Sequence, residues 1–315
     1  MSLKEDINFS LWCDFIERDF LETRFKEIIK KNIIQGATSN PAIFESSITN
    51  SLAYKQQLDM LQANNAKTIY EELALTDIKR AAALLSDLHK NDADDGFISI
   101  EVDPLLCDDA AGTIEEGVRL YSMISADNVM IKIPATEAGY IAMRELTSKG
   151  INVNATLIFS PQQAIKCTQA LDEGIKDSNK DIKAVVSVFV SRLDRMADGD
   201  FALKGLQTSK LGIINATKCY HEVNKFKNLN IRTLFASTGV KGNDLSPSYY
   251  IDNLIYPNSI NTAPLATIED WLKDGSKEPT HIMCEADCDK YFETLKVKGI
   301  KMQSIYDKLL SEGLD

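Results

Sequence analysis

Short apolar, β-branched runs alternate along this chain with longer segments in which apolar positions recur every three to four residues. The first pattern predicts buried strands and the second predicts amphipathic helices. The predicted strands are residues 7–14, 33–38, 97–102, 128–133, 151–157, 183–190, 231–237 and 258–262. The predicted helices are residues 15–31, 52–89 in two pieces, 111–126, 137–149, 161–175, 204–227, 246–255, 264–274, 285–296 and 301–313.

This alternation predicts parallel strands joined by right-handed helical crossovers, as in a doubly wound sheet or a (β/α)8 barrel. The count of eight strands, and the lack of a Pro-, Gly- or Ser-rich linker between two halves, favour the barrel. Neither G-x-G-x-x-G nor G-x-x-x-x-G-K-[ST] occurs, so no nucleotide-binding phosphate loop is predicted. We therefore expect one α/β domain over residues 1–315, a (β/α)8 TIM barrel with extra N-terminal and C-terminal helices and a helical tail from about residue 264.

Polar side chains occupy the C-terminal ends of seven predicted strands, where a buried parallel strand should be apolar. Several recur at alternating positions, which is the spacing of side chains on one face of a strand. Catalytic groups of (β/α)8 enzymes come from this end of several strands, so the pattern predicts an active site there. The residues are Asp14, Thr38, Asn40, Ser99, Glu101, Lys132, Asn154, Thr156, Ser187 and Ser237.

Lys132 stands between Ile131 and Ile133 in a predicted buried strand. Burial disfavours the charged form of a lysine, and the neutral amine is a nucleophile toward carbonyl carbons. One interpretation is therefore Schiff-base catalysis. The alternatives are a lysine that reaches solvent from the end of a strand, and a structural ion pair with Glu101. The polar positions on the other strands favour the catalytic interpretation.

The chain carries 35 Lys and Arg against 46 Asp and Glu, a formal net charge of −11, and its pI is about 4.9. An acidic surface repels phosphate backbones and anionic lipids, so we expect neither a nucleic-acid partner nor a membrane partner. A small anionic substrate would need a pocket in which a few cations gather. The six cysteines are dispersed, no secretory leader is recognised, and no apolar run reaches ~18 residues, which predicts a cytoplasmic protein with reduced thiols.

Five segments of the sequence resemble the transaldolase family, in the family's order and across nearly the whole chain. They are residues 36–44 (GATSNPAIF), 101–103 (EVD), 128–136 (NVMIKIPAT), 152–160 (NVNATLIFS) and 187–194 (SVFVSRLD). The resemblance implies a (β/α)8 transferase of the pentose phosphate pathway that uses neither a metal nor a cofactor. Such an enzyme moves a dihydroxyacetone unit from sedoheptulose 7-phosphate to glyceraldehyde 3-phosphate, giving erythrose 4-phosphate and fructose 6-phosphate. Dimers are common in the family, so a homodimer is compatible with the resemblance.

The same resemblance implies a role for each matched residue. Lys132 matches the lysine that forms the Schiff base, and Asp14 matches the acid/base of carbon–carbon cleavage. Glu101 and Thr156 match the pair that holds a catalytic water. The residues that match groups binding the dihydroxyacetone hydroxyls are Thr38, Asn40, Asn154 and Ser187.

The phosphate-binding residues are matched less completely. Arg192 matches the phosphate-binding arginine of the family. Residues 236–242 (ASTGVKG) follow the seventh predicted strand, where (β/α)8 enzymes frequently bind phosphate. Shorter members of the family have an arginine soon after this serine, whereas this sequence resembles a longer subgroup. Ser237 and Lys241 are therefore the candidates in this segment.

Structural interpretations of three of these residues stay open at this point. Asp14 is also suited to cap the helix predicted from residue 15, because aspartate is a common N-cap. Asn40, before a proline, is also suited to start a helix or turn. Arg192 has Asp194 and Asp198 nearby in sequence as structural partners.

Two other functions fit parts of the pattern. A fructose 6-phosphate aldolase would use the same lysine and release free dihydroxyacetone, but related aldolases tend to have Gln in place of Glu101 and Tyr in place of Phe189. A non-catalytic sugar-phosphate-binding barrel predicts loss of the lysine or the carboxylates, which are all present. His281, Cys284 and Cys288 have a spacing that also suits zinc, yet no fourth ligand is evident, so we expect no metal.

Overall fold

Eight parallel strands close into a barrel in which each strand pairs with the next in sequence and the last pairs with the first. The computed structural model describes residues 2–242 and 244–314. The strands are β1 (Ser10–Cys13), β2 (Gly36–Ala37), β3 (Phe97–Glu101), β4 (Val129–Pro134), β5 (Asn152–Ile158), β6 (Ala184–Phe189), β7 (Ile231–Ala236) and β8 (Ser259–Ala263). All eight predicted strands are present, and the predicted (β/α)8 fold is confirmed.

Helices surround the barrel and extend it at both ends. They are α1 (Leu3–Ile7), α2 (Arg18–Glu22), α3 (Arg24–Lys30), α4 (Pro41–Asn50), α5 (Lys55–Leu61), α6 (Ala66–Asn91), α7 (Ala110–Ile124), α8 (Glu137–Ser148), α9 (Pro161–Asp177), α10 (Ser191–Leu203), α11 (Leu211–Asn224), α12 (Tyr249–Asp252), α13 (Leu265–Asp274), α14 (Glu285–Val297) and α15 (Met302–Leu314). The predicted extra helices are confirmed as α1 before the barrel, and as α14 and α15 after its last strand.

Some helix boundaries predicted from periodicity are wrong. The helix predicted over residues 204–227 starts late, at Leu211, because Gly205 and Ser209 have φ of 65° and 57°, outside the helical region. The helix predicted over residues 246–255 is reduced to the single turn α12. Helices α4 and α10 were not predicted, although Asn40 caps α4 by accepting from the Ile43 amide.

Alternate residues of each strand pack on opposite sides of the barrel wall. On β4, Ile131 belongs to the core between barrel and helices, whereas Met130 packs with the residues that fill the barrel. Trp12 occupies this interior, with its ring 6.4 Å from that of Phe97. A Cβ atom at Gly36 would lie 2.6 Å from the Trp12 indole, so glycine is required there. The interior is therefore packed and apolar beneath the C-terminal ends of the strands.

Arg232 organises the N-terminal end of the barrel. Its Nη2 donates to the Asn8 carbonyl at 2.7 Å and to Ser10 Oγ at 2.9 Å. Its Nη1 lies 3.3 Å from Asp95, and both side chains are buried. This buried ion pair has additional hydrogen bonds, the condition under which burying two charges is tolerated. The network fills one end of the barrel and leaves the other end for a cavity.

The last helix lies against the C-terminal end of the barrel. Tyr306 in α15 donates its hydroxyl to Asn215 Oδ1 at 2.9 Å, and Asn215 Nδ2 donates to the Phe159 carbonyl at 2.8 Å. The final residues described, Gly313 and Leu314, line the cavity at this end. The helical tail therefore forms part of the wall of the candidate site.

Candidate active site

A cavity of about 720 Å³ opens at the C-terminal ends of the strands. It is lined by all eleven candidate site residues proposed from the sequence, so the strand positions predicted to converge do share one space. These are Asp14, Thr38, Asn40, Glu101, Lys132, Asn154, Thr156, Ser187, Arg192, Ser237 and Lys241.

Lys132 lies at the bottom of this cavity with 7% of its surface exposed. Its Nζ is 3.1 Å from Glu101 Oε2 and donates to the Ser39 carbonyl at 3.2 Å. The strand register explains this neighbourhood, because Lys132 on β4 stands beside Glu101 on β3 and beside Asn154 on β5. The lysine therefore does not extend into bulk solvent, and its amine meets a carboxylate within the cavity.

Asp14 follows β1 directly and is a second carboxylate of the cavity. Its backbone N–H donates to the Ala263 carbonyl at 2.8 Å, which continues the pairing with β8. Its Oδ1 accepts a hydrogen bond from Thr38 Oγ1 at 2.7 Å. Burial raises the pKa of Asp14, an effect partly opposed by the positive charge of Lys132 and by the Thr38 hydroxyl. Helix α2 is capped by Glu17 instead, so Asp14 does not serve as a helix cap.

The amide side chains of the cavity are already oriented by neighbours. Asn154 Nδ2 donates to Ser99 Oγ at 3.0 Å, and Asn154 Oδ1 accepts from Ser187 Oγ at 2.6 Å. Asn40 Oδ1 accepts from the Ile43 amide at 3.0 Å, which caps α4. That cap uses only the amide oxygen, so Asn40 has its Nδ2 donors available while lining the cavity. The helix-start interpretation of Asn40 is thus correct and compatible with ligand binding.

Thr156 is a buried hydroxyl without a hydrogen-bond partner among the described residues. It follows Asn154 on the same face of β5 and pairs in register with Pro134. The strand is irregular just beyond it, since Leu157 has φ of 56° and the register with β6 shifts between Ala155 and Ile158. Because buried hydroxyls normally have partners, the Thr156 hydroxyl is suited to hold a ligand or water oxygen.

Cations gather at the mouth of the cavity. The Arg192 guanidinium lies 5.0 Å above the Phe189 ring, and burial lowers the pKa of Arg192. Its two sequence neighbours with carboxylates bind elsewhere: Asp194 accepts from the Gly212 amide, and Asp198 accepts from the Ser209 amide. The structural ion pairs considered for Arg192 are therefore not formed within residues 2–242 and 244–314.

Sequence reasoning missed several further residues of the cavity, among them Thr262 and Arg195. Thr262 on β8 is 2.8 Å from Thr38, hydroxyl to hydroxyl, and so extends the hydrogen bonds that reach Asp14. A polar residue at the end of the predicted eighth strand was the available signal. Arg195 also lines the cavity, one helical turn after Arg192, and this spacing would have been informative had α10 been predicted.

Among residues 2–242 and 244–314, no three His, Cys, Asp or Glu side chains lie together in a way that could hold a metal ion. Cys284 donates instead to Asp287 at 3.2 Å, and Cys288 is buried. No helix among the described residues is sufficiently long and apolar to cross a bilayer.

The cavity groups are suited to chemistry on carbonyl compounds. A buried amine beside a carboxylate can condense with a ketone, and a second carboxylate can move a proton of the bound molecule. Amide and hydroxyl groups surround the amine, while guanidinium groups stand at the mouth. This arrangement fits a polyhydroxylated ketone that carries an anionic group at its far end.

Comparisons with known proteins agree with this description. A sequence model of the family described as Transaldolase/Fructose-6-phosphate aldolase matches residues 11–315. A protein named transaldolase from Helicobacter pylori (strain ATCC 700392 / 26695) is 47% identical over 306 residues, which cover 97% of this chain and 95% of the relative. Another transaldolase, from Campylobacter jejuni subsp. jejuni serotype O:23/36 (strain 81-176), is 49% identical over 275 residues, or 83% of this chain and 82% of the relative.

This is a (β/α)8 enzyme of the transferase class, as expected from the sequence. The chain belongs to the transaldolase/fructose-6-phosphate aldolase family.

Proposed function

We propose that the chain is a transaldolase acting through a Schiff base on Lys132. It transfers a dihydroxyacetone unit from sedoheptulose 7-phosphate to glyceraldehyde 3-phosphate, giving erythrose 4-phosphate and fructose 6-phosphate in the non-oxidative pentose phosphate pathway. The observation that carries this proposal is the 3.1 Å pair between Lys132 Nζ and Glu101 inside the cavity. Relatives that are 47% and 49% identical to this chain are named transaldolase, which also supports the proposal.

The first step is condensation of Lys132 with the C2 carbonyl of the donor. The neutral amine attacks C2 to give a carbinolamine, and loss of one water leaves a protonated imine. Glu101 supplies and removes the protons of these steps, and the Thr156 hydroxyl holds the departing and returning water. The unpartnered, buried Thr156 Oγ1 and the contact of Glu101 with the amine support these roles.

The second step breaks the C3–C4 bond of the donor. Asp14 takes the proton of the C4 hydroxyl, the C3–C4 electron pair moves toward the imine, and an aldose phosphate departs. The remaining enamine then attacks the aldehyde carbon of the acceptor, and Asp14 returns its proton to the new hydroxyl. A carboxylate whose pKa is raised by burial is suited to such exchange, because it is a better base than a solvated one.

The bound fragment and the phosphate are held by different residues. The enamine bears hydroxyls and no phosphate, so neutral donors and acceptors suffice for it: Thr38, Asn40, Asn154 and Ser187. The phosphate belongs to the departing and arriving aldose and lies farther from the lysine. Arg192, Ser237 and Lys241, at the mouth, bind it.

Reductive trapping tests this proposal directly. Fructose 6-phosphate and borohydride should convert the imine to a stable secondary amine, with a mass increase on the peptide that contains Lys132. Lys132→Ala should lose both the adduct and the activity, whereas Lys149→Ala, at an exposed lysine that pairs with Glu145, should retain both. Absence of an adduct, with activity retained in Lys132→Ala, would reject the mechanism.

Acceptor dependence separates a transferase from a free aldolase. Glu101 and the apolar Phe189 favour transfer, because a phenyl ring cannot protonate the enamine. Fructose 6-phosphate should therefore be consumed rapidly only when erythrose 4-phosphate is added. Rapid cleavage without an acceptor would instead support a free aldolase.

Three further expectations from the sequence remain predictions. Limited proteolysis tests the single domain, light scattering tests the homodimer, and cell fractionation tests the cytoplasmic location.

A further inference from the structure

The arginines of this chain fall into two groups by their ion pairs. The chain has eight arginines among 35 basic residues and 46 acidic ones. Six of them lie between 2.5 and 3.3 Å from a carboxylate oxygen: Arg18, Arg24, Arg80, Arg119, Arg144 and Arg232. Arg192 and Arg195 form no such pair with any residue in the described ranges, and both line the same cavity. In an acidic protein, two neighbouring unpaired guanidinium groups are a notable concentration of positive charge.

Their positions follow from α10. Arg192 and Arg195 are three residues apart on this helix, so they project from neighbouring positions on its surface. Arg192 is half-buried and stacked on Phe189, whereas Arg195 reaches solvent at the mouth. The charge of Arg195 is, after burial, the largest influence that lowers the pKa of Arg192. An anion between the two groups would relieve this repulsion.

Hydrogen bonds connect Arg195 to the segment after β7. Arg195 Nη1 donates to Ser191 Oγ at 2.8 Å, and Ser191 Oγ is 3.1 Å from Ser237 Oγ. The Ser191 amide donates to the Ser237 carbonyl at 3.0 Å. These contacts join the start of α10 to the residue that follows β7, so Arg195 is oriented toward Ser237.

We propose that Arg195 is the second phosphate-binding arginine of the site, acting with Arg192 on the phosphate of the aldose. The inference deepens the proposed function and depends on it for the identity of the substrate. A phosphate monoester carries close to two negative charges near neutral pH, and a guanidinium offers it two parallel N–H donors. Lys241 offers a single ammonium instead of a planar fork of donors, so it contributes less than Arg195.

The pair also gives the site a preference for phosphorylated aldehydes. A phosphorylated acceptor neutralises both guanidinium groups, whereas an acceptor that ends in a hydroxyl leaves their repulsion in place. Arg195 should therefore affect the two kinds of acceptor differently, which a residue needed only for folding would not do.

The test uses the second half-reaction alone. With saturating sedoheptulose 7-phosphate as donor, which leaves erythrose 4-phosphate as the first product, kcat/KM for the acceptor reports its reaction with the enamine, after the first aldose has left. Arg195→Gln should lower this value roughly 10- to 100-fold for D-glyceraldehyde 3-phosphate, because one charge-assisted pair is lost. Arg195→Gln should change kcat/KM for unphosphorylated D-glyceraldehyde less than about two-fold. The inhibition constant of inorganic phosphate should rise in the same variant, because phosphate loses the same charged partner.

Three variants complete the design. Arg195→Lys should recover part of the loss, because it restores charge without the planar fork. Lys241→Gln should reduce kcat/KM for the phosphorylated acceptor less than Arg195→Gln does. Arg144→Gln, at an exposed arginine that pairs with Asp177 on the outer helices, should leave the preference between acceptors unchanged.

The inference would be overturned if Arg195→Gln lowered kcat/KM equally for both acceptors, left both unchanged, or had a smaller effect than Lys241→Gln. A wild-type protein that formed no borohydride adduct on Lys132 would contradict the proposed function. In that case the role of Arg195 in phosphate binding can still be tested by calorimetric titration of wild type and Arg195→Gln with inorganic phosphate. Equal affinities in that titration would overturn it.

Discussion

Lys132 Nζ lies 3.1 Å from Glu101 Oε2, because β3 and β4 pair in a register that sets these two residues side by side. This distance fits two roles of Glu101. As a structural residue it would pair with Lys132 in the free enzyme, and as a catalytic residue it would exchange protons with the water that leaves C2 of the substrate. The two interpretations differ in what a neutral isostere should do.

Glu101→Gln separates these interpretations. The amide preserves the shape and can still accept from the lysine, but it cannot exchange protons. If Glu101 handles protons in carbinolamine formation and breakdown, kcat should fall about 10²- to 10⁴-fold. Rapid-quench borohydride trapping should show slower imine formation. Glu145→Gln, at an exposed glutamate that pairs with Lys149, is the matched control. A Glu101→Gln variant with unchanged trapping kinetics would leave Glu101 with a structural role only.

The pH dependence of activity should report Asp14. Asp14 must be ionised to accept the C4 hydroxyl proton, and burial raises its pKa, so the acidic limb of kcat/KM for the donor should lie above the ordinary range of aspartate. The Thr38 hydroxyl opposes this shift, so Thr38→Val should move the limb to higher pH. Thr294→Val, whose hydroxyl bonds only to its own helix, should leave the limb in place. An acidic limb that moved to lower pH in Thr38→Val would contradict the assignment.

The same Asp14 should reduce the stability of the folded protein at neutral pH. A carboxyl whose pKa is higher in the folded state than in the unfolded state binds more protons when folded, between those two values. The free energy of unfolding therefore decreases as pH rises through that interval, and the deficit persists above it. Asp14→Asn removes the ionisation, so it should unfold at higher urea concentration than wild type at pH 7. Below the unfolded-state pKa this advantage should disappear; a constant difference at all pH values would point to another cause.

Most of the strands could be predicted from sequence because they contain short apolar runs that have to be buried between the barrel interior and the helices. Helix α10 was missed because the β-branched run of β6 continues to Val190, and Val190, which is the N-cap residue of this helix, has no side chain that can cap it. The spacing of apolar residues predicts a helix over 204–210, yet Gly205 and Ser209 adopt positive φ there. Local periodicity does not report such single backbone reversals.

Site residues could be predicted where a charged side chain stands in a segment that should be buried. Lys132, between two isoleucines, is costly unless a partner is present, and this conflict identified it. Thr262 creates no such conflict, since a threonine is ordinary in a strand; only the three-dimensional contact with Thr38 reveals it. Arg195 was hidden for a related reason, because a single arginine is unremarkable until the structure shows that carboxylates pair with six of the others.

Phe189 should determine whether the enamine waits for an acceptor. Its ring lines the cavity, packs 5.3 Å from the Phe159 ring and lies below the Arg192 guanidinium. Phe189→Tyr places a phenolic O–H in this space, and a phenol can donate the proton that converts the enamine to a hydrolysable imine. The rate of dihydroxyacetone release from fructose 6-phosphate without acceptor should then rise on the order of 10²-fold, the lower range for an added general acid.

The measurement is an enzymatic assay of free dihydroxyacetone, run beside an assay of transfer to erythrose 4-phosphate. Release should increase and transfer should decline in Phe189→Tyr, because both consume the same enamine. Phe226→Tyr, at a partly exposed position after α11, adds the same hydroxyl outside the cavity and should alter neither rate. If release stayed at the wild-type rate in a folded Phe189→Tyr protein, proton access to the enamine would be governed by another group, and Asp14 would be the first to examine.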